Sequence, residues 1–229
     1  MQPKIAAIVF SIMLNIIVPL TPLFATELTP PVPADQLNNL LKNIENNFSK
    51  IKTLKTMLTQ EKSIALFSKI IISKGFCLFK SPDRLRLEFI EPFKSSIVIN
   101  DDQILKYEFF NEKWQKLDTG QTELSLLIME NITSWLKGEF NNPALYEIYA
   151  FNGNNLTLTL TPKAEEFKRF ISMFELGLNH EMNGLEYIII HESKDNYTKI
   201  YFHNDVVNKD IPDFIFENNA DKPHPVSQW

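Results

Sequence analysis

The stretch that decides the fold runs from Gly75 to Pro92 and reads GFCLFKSPDRLRLEFIEP. It predicts two strands joined by a tight turn at Ser81-Pro82-Asp83, because serine, proline and aspartate favour turns. In the second strand charged and apolar residues alternate: Arg84, Leu85, Arg86, Leu87, Glu88 and Phe89. This period of two is typical of a strand with one face in the core and the other in water. We therefore expect the charged side chains to be solvated and the apolar ones to line a core or cavity.

Strand-like segments continue on both sides of this stretch. They begin at Thr53 and are separated by turn signals at Lys74-Gly75, Asn100-Asp101-Asp102 and Asn111-Glu112. After an interruption they resume near Tyr146. The pattern predicts about six strands followed by about five, in sequence order. Such a series favours a mainly β (α+β) domain with one antiparallel sheet and one continuous core.

Two amphipathic helices accompany the strands. The first is expected to start at an N-cap, Asp35, and to run for about four turns, because apolar residues recur there at helical spacing. The second covers Thr122 to Gly138, with the glycine near its C-terminal end. Its apolar stripe consists of Leu124, Leu127, Ile128, Ile132, Trp135 and Leu136.

The N-terminal residues have the pattern of an export signal. Lys4 precedes an apolar run, and Ala25 is a small residue at which a signal peptidase can cut. We interpret residues 1–25 as a signal peptide, 26–34 as a proline-rich spacer, 35–217 as the folded domain and 218–229 as a disordered tail. An uncleaved membrane anchor is the alternative for the first segment, because the apolar run nearly reaches the length of a membrane span.

Several function classes find no support in the residues. The net charge of -5 argues against a nucleic-acid binder, which would carry a basic face. The chain lacks the G-x-x-x-x-G-K-[ST], G-x-S-x-G and H-E-x-x-H motifs. The single cysteine, Cys77, lies in an apolar strand pattern and is expected to be a buried, inert thiol. We assign no catalytic residue, no metal ligand and no cofactor.

A series of short motifs occurs in a particular order along the chain: Leu58-Thr59-Gln60, Gly75, Pro82, Leu85-Arg86-Leu87, Glu88, Phe89, Pro92, Ile97-Val98-Ile99, Asp101-Asp102 and Tyr107. This ordered set resembles the outer-membrane lipoprotein carrier family, the LolA-like periplasmic chaperones, over about Asp35 to Glu217. The resemblance implies an unclosed antiparallel β half-barrel of about 11 strands with helices packed in its concave mouth.

The resemblance also implies roles for particular residues. Those expected to bind lipid are Leu85, Leu87, Phe89, Leu127, Ile128, Ile132, Trp135 and Leu136, and those expected to contact the lid or a partner are Ser81, Arg84 and Arg86. Family members carry an arginine immediately before the proline that corresponds to Pro82, where this chain has Ser81. Because serine has no charge, we expect the second helix to be held mainly by apolar packing and to open at low cost.

The function implied is that of a monomeric periplasmic chaperone, not an enzyme, that carries the acyl chains of lipoproteins from the inner to the outer membrane. Its partners would be an inner-membrane ABC-type release complex or exporter and an outer-membrane acceptor. Three alternatives stay open. One is a carrier for another lipid or lipid-linked product, the second is an exported hydrolase with an unrecognised site, and the third is a membrane-tethered interaction domain.

Overall fold

A computed structural model of the chain describes residues 30–65, 69–100, 103–117, 123–193 and 196–217. The predicted signal peptide, the Asp101-Asp102 turn and the predicted tail lie outside the described residues. The helices are α1 (Ala34–Phe48), α2 (Glu123–Leu136) and α3 (Glu165–Lys168). The strands are β1 (Thr53–Ile64), β2 (Lys69–Lys80), β3 (Arg84–Glu91), β4 (Ser95–Asn100), β5 (Gln103–Phe110), β6 (Lys113–Lys116), β7 (Tyr146–Asn152), β8 (Leu156–Pro162), β9 (Met173–Leu178), β10 (Leu185–Ser193) and β11 (Asn196–Val207). A 3-10 turn, Asp213–Phe216, follows.

All these strands form one antiparallel sheet in the order β6-β5-β4-β3-β2-β1-β11-β10-β9-β8-β7. Two meanders, β1 to β6 and β7 to β11, are joined where the first strand pairs with the last. Strands β6 and β7 are the two edges, so the sheet is unclosed, and α2 is the connection between these edges. The predicted fold, a mainly β, unclosed antiparallel sheet of 11 strands with helices, is confirmed.

The helices α1 and α2 cover one face of the sheet, which we call the concave face. Both helices contribute buried side chains to one apolar cluster with this face. The cluster includes Ile44 and Phe48 from α1, Ile132, Trp135 and Leu136 from α2, and Phe79, Leu85, Leu87, Leu158 and Phe174 from the sheet. The Trp135 and Phe174 rings meet edge to face, with centroids 4.9 Å apart. The main core therefore lies between helices and sheet.

Two local predictions were wrong. Helix α1 begins at Ala34 with Pro33 as its N-cap and no side-chain cap. Asp35 therefore lies in the first turn, where its negative charge interacts favourably with the helix dipole.

The predicted turn at Lys74-Gly75 is absent, because both residues lie within β2. A Cβ atom at Gly75 would lie 1.9 Å from the carbonyl oxygen of Glu88. Glycine is required there for a close approach between strands, and not for a turn.

Other local predictions were confirmed. The Ser81-Pro82-Asp83 turn joins β2 to β3, and Asn111 and Glu112 join β5 to β6 with φ angles of 49° and 60°. Gly138 follows α2 with φ of 85°, a conformation that glycine adopts without strain at the end of a helix. Boundaries were thus predicted well where the turn residue itself has an unusual backbone conformation.

The opposite face of the sheet, the convex face, is covered by residues that the sequence had not marked as a structural element. After β11 the chain returns across this face as residues 209–216, which we call the C-terminal clasp. Ile211, Ile215 and Phe216 pack with Leu78 in a second, smaller apolar cluster. The sheet therefore separates two cores, a large one under the helices and a small one under the clasp.

Candidate functional site

Most of the residues predicted to bind lipid meet on the concave face. Leu85, Leu87, Ile132, Trp135 and Leu136 are buried in the main apolar cluster, and the half-buried Ile128 packs against it. Two further predicted residues, Leu127 and Phe89, are half-buried and do not belong to this cluster. The stripe of α2 and the apolar side of β3 therefore face the same core.

The buried polar side chains of α2 form hydrogen bonds within the helix. The amide of Asn131 donates to the carbonyl oxygen of Leu127 at 2.7 Å, and the hydroxyl of Thr133 donates to that of Met129 at 2.9 Å. Such bonds to the preceding turn remain intact when a helix moves as a unit. The bond of Thr133 therefore does not oppose a displacement of α2 from the sheet, whereas the Asn131 side chain also contacts the Tyr146 side chain of β7 and adds to the attachment.

An ion pair attaches the C-terminal end of α2 to the β2–β3 turn. The Lys137 ammonium lies 2.9 Å from Oδ1 of Asp83 and 3.2 Å from Oε2 of Glu139. Partial burial disfavours the charged lysine, but hydrogen bonds to the two carboxylates outweigh that effect and raise the pKa of Lys137. The expectation of a mainly apolar attachment overlooked this contact, which we call the rim latch.

The rim latch has the opposite polarity to the contact that the resemblance implied. The cation comes from the end of the helix and the anion from the turn. Ser81 itself is half-buried, and its backbone N–H donates to the carbonyl oxygen of Lys52 at 2.9 Å. The turn thus holds the helix through Asp83, two residues after the serine.

A cleft of about 450 Å³ opens beside the rim latch, between α2 and the strands β4 and β5. Ile99 and Ile104 form its sheet side, Thr133 lines it from the helix, and Asp83 and Lys137 also line it. The latch therefore borders an opening that reaches apolar side chains of the concave face.

The charged face of β3 is not solvated, and the prediction was wrong for Arg86 and Glu88, which are 3% and 4% exposed. The guanidinium of Arg86 donates from Nε and Nη2 to Oε2 of Glu88, at 3.0 and 2.7 Å, and from Nη1 to the carbonyl oxygen of Ile215 at 3.0 Å. The C-terminal clasp contacts Arg86 through this carbonyl. A buried charge pair is tolerated where such bonds satisfy it.

A second charged contact holds the clasp nearer its start. The carboxylate of Asp213 accepts hydrogen bonds from Lys80 and Arg84, which lower the pKa of Asp213, and Nη1 of Arg84 lies 2.8 Å from Oδ1. Arg84 and Arg86 were predicted to contact a lid or a partner. Both contact the clasp, on the face opposite α2.

The single cysteine lies in the core of the described part of the chain. Cys77 is fully buried, and desolvation raises the pKa of its thiol far above the usual value, so it is unsuited to nucleophilic chemistry. Among the described residues, no group of three or more His, Cys, Asp or Glu is placed to hold a metal ion. Within the same residues, no helix is both long and apolar enough to cross a membrane.

These features define the class of unclosed antiparallel half-barrels with a helical cover over an apolar face. Within this class the family can be named. A family model described as "Outer membrane lipoprotein carrier protein LolA" matches residues 49–219, and the chain belongs to that family. Members of the family are periplasmic and generally act as carriers without enzymatic activity.

Solved structures with a similar course of the chain share little sequence with it. A DUF1329 family protein from Desulfovibrio piger has a TM-score of 0.49 and 11% identity, with 83% of this chain and 99% of that chain covered. A LolA superfamily protein from Nitrosomonas europaea has a TM-score of 0.39 and 12% identity, with 78% of this chain and 98% of that chain covered. The MucA/MucB complex from Pseudomonas aeruginosa has a TM-score of 0.42 and 10% identity, with 79% of this chain and 61% of that chain covered. Among curated proteins, none matches the chain.

Proposed function

We propose that this protein is a periplasmic carrier that shelters the acyl chains of lipoproteins between the concave face and α2. The observation that carries the proposal is the way α2 is attached. The helix covers a continuous apolar face, bonds its buried amide and hydroxyl groups to itself, and is latched at one rim by Lys137. Because it links the two open edges β6 and β7, it can move outward without breaking strand pairing.

The energetics favour an exchange between helix and ligand. Each methylene removed from water is worth about 0.8 kcal/mol, so an acyl chain of about a dozen methylenes gains about 10 kcal/mol in an apolar site. In the structure the side chains of Ile132, Trp135 and Leu136 pack against the sheet at that place. An acyl chain that replaces these side chains buries the apolar surface of the sheet again, and only the apolar surface of α2 becomes exposed to water. The net cost of opening is therefore much smaller than the burial of the whole face.

Directional transport requires partners in this proposal. The chain carries no nucleotide-binding motif, so an inner-membrane ABC-type release complex would supply the energy for loading. An outer-membrane acceptor with a more favourable apolar site would then receive the ligand. The carrier itself would act as a monomer with one ligand.

Binding of a triacylated lipopeptide and of a fluorescent fatty-acyl probe tests the proposal. Ile128→Glu places a charge at the half-buried edge of the main cluster, where it disfavours an apolar ligand, and should weaken binding at least tenfold. Ile71→Glu is the matched control, because Ile71 lies on β2 and is 42% exposed. Circular dichroism establishes that both variants are folded. Equal binding by the wild type and Ile128→Glu would place the acyl site elsewhere.

The nature of the cargo requires a separate measurement. Mass spectrometry of molecules that co-purify with the protein from the native periplasm should find acylated N-terminal peptides of lipoproteins. Recovery of a lipid without a peptide would instead support the alternative of a carrier for another lipid working with a membrane exporter.

The proposed location depends on removal of residues 1–25. We expect the mature protein to begin at Thr26, in the periplasmic fraction, because the pattern from Lys4 to Ala25 is that of a cleaved signal. N-terminal sequencing of that fraction checks this. Recovery of the protein only from membranes, with Met1 intact, would favour the tethered alternative.

A further inference from the structure

A second cleft lies on the convex face, outside the site proposed above. Its volume is about 530 Å³, within the range of about 300–1,000 Å³ that is typical of small-molecule sites. Its apolar walls are formed by Met57, Phe76, Leu78, Val206, Ile211 and Ile215. The alternation along β1 and β2 places Met57 and Phe76 opposite each other, on the side of the sheet that faces away from α1 and α2. The sheet thus separates this cleft from the concave core.

The walls of this cleft are fixed at both ends of the clasp. At one end, the Thr53 hydroxyl donates to the carbonyl oxygen of Lys209 at 2.6 Å, and Lys80 Nζ donates to that of Ile211 at 2.8 Å. At the other end, Arg86 holds the carbonyl oxygen of Ile215. Because charged and polar bonds hold the clasp on either side, the cleft does not need to collapse to keep the clasp in place. It is a preformed cavity, which lowers the cost of binding.

The cleft also leaves apolar side chains in water. Met57 is 46% exposed and Val206 is 44% exposed, although both lie in the central strands of the sheet. The charged residues that line the same cleft are Lys55, Lys209 and Asp210, so cations outnumber anions. Apolar walls with an excess of positive charge complement a molecule that has one alkyl chain and one anionic group.

We propose that the convex cleft binds a medium-chain fatty acid. The alkyl chain lies against Met57, Phe76 and Val206, and the carboxylate lies near Lys55 and Lys209. The inference does not depend on the proposed function, because the two sites are on opposite faces and share no residue of their walls.

Photo-crosslinking locates the site directly. The full chain is irradiated with a diazirine-bearing fatty acid, and the labelled peptides are identified by mass spectrometry. Labels on residues 55–57, 76–78 and 204–215 support the inference. Labels confined to β3 or α2 overturn it and leave the carrier proposal intact.

Titration calorimetry with laurate measures the contribution of each part. Met57→Glu and Val206→Glu should each raise the Kd at least tenfold, while Phe110→Glu, at a side chain 63% exposed outside the cleft, should not change it. All three positions are partly exposed, so the variants should fold. Replacing Lys55 and Lys209 by methionine should raise the Kd for laurate severalfold and leave that for dodecanol unchanged. The absence of laurate binding by the wild type, or equal Kd values in all variants, would overturn the inference.

Discussion

The two faces of the sheet are covered by segments of different size and attachment. Two helices, α1 with 15 residues and α2 with 14, cover the concave face, mainly through apolar packing. A 3-10 turn of four residues lies on the convex face and contacts Lys80, Arg84 and Arg86. Apolar packing is proportional to area and has no direction, so a ligand of the right volume can replace it. Hydrogen-bonded charges require one geometry. A ligand can therefore replace the packing of helix α2, whereas the clasp is held in one position by its hydrogen bonds.

The largest effect is expected at the centre of the concave core. Trp135→Ala should lower the free energy of unfolding by about 3–5 kcal/mol, because the truncation leaves a cavity against Phe174 that the sheet cannot fill. Trp114→Ala, on the edge strand β6, is the control and should cost much less because Trp114 is only half-buried. Urea unfolding measures both. A small loss at Trp135 would mean that the concave cover adds little to stability.

The convex face should respond to the breaking of a charge pair. Arg86→Met leaves Glu88 buried without its partner and should cost about 3 kcal/mol. Replacing both residues, as in Arg86→Met with Glu88→Leu, should recover most of that loss, since the pair is then removed together. Unfolding curves of the two variants provide the test. If the double variant is less stable than Arg86→Met alone, the clasp depends on the charges themselves.

The rim latch should affect exchange more than stability. Lys137→Met should change the free energy of unfolding by less than about 1 kcal/mol, as is usual for partly exposed ion pairs, yet speed release of an acyl probe severalfold. Asp83→Asn should have the same effect, and the two changes together should not add. Stopped-flow release, with Trp114 and Trp229 changed to Phe so that Trp135 reports, measures the rates.

A substitution at Ser81 tests a second way to hold the end of α2. Ser81→Arg supplies a guanidinium that can donate hydrogen bonds to carbonyl oxygens at the end of the helix, as the family resemblance implies, and should slow release. Release rates that are identical in the wild type, Lys137→Met and Ser81→Arg would remove the latch from the exchange step.

The smallest effect is expected from pH. Hydrogen bonds from Lys80 and Arg84 lower the pKa of Asp213 below its ordinary value of 3.8. The carboxylate therefore stabilises the folded protein above about pH 4, and this contribution is lost as the pH falls through the lowered pKa. The stability difference between the wild type and Asp213→Asn should be constant from pH 5 to 7 and vanish well below pH 4. A difference that persists at pH 2 would contradict this assignment.

The sequence predicted which side of the sheet a side chain points to better than it predicted which residue the side chain contacts. The alternation in β3 correctly placed Leu85 and Leu87 in the main core, because side-chain direction is fixed locally by strand geometry. The same alternation could not show what covers Arg86. Its partner, the carbonyl of Ile215, comes from 129 residues further along the chain.

One signal for the clasp was present in the sequence. The residues from Ile211 to Phe216 read IPDFIF, which is too apolar for a solvated connection. The rim latch had no comparable signal, since Asp83 and Lys137 are 54 residues apart and charged residues in turns are common. An apolar run indicates that a segment is buried, whereas an ion pair can be predicted only when it is known which segments are in contact.

The pairing of the first strand with the last also has a consequence for how the protein folds. At the centre of the sheet, the Thr56 hydroxyl donates to the carbonyl oxygen of His203 at 3.0 Å, and the two residues are 147 positions apart. Each meander can form early from neighbouring hairpins, but the seam between them must wait until β11 has emerged, and contacts over such separations form slowly. Until then β1 presents an unpaired edge that can join another chain. The middle of the finished sheet is thus its last part to assemble, and a chain interrupted before β11 should aggregate instead of folding.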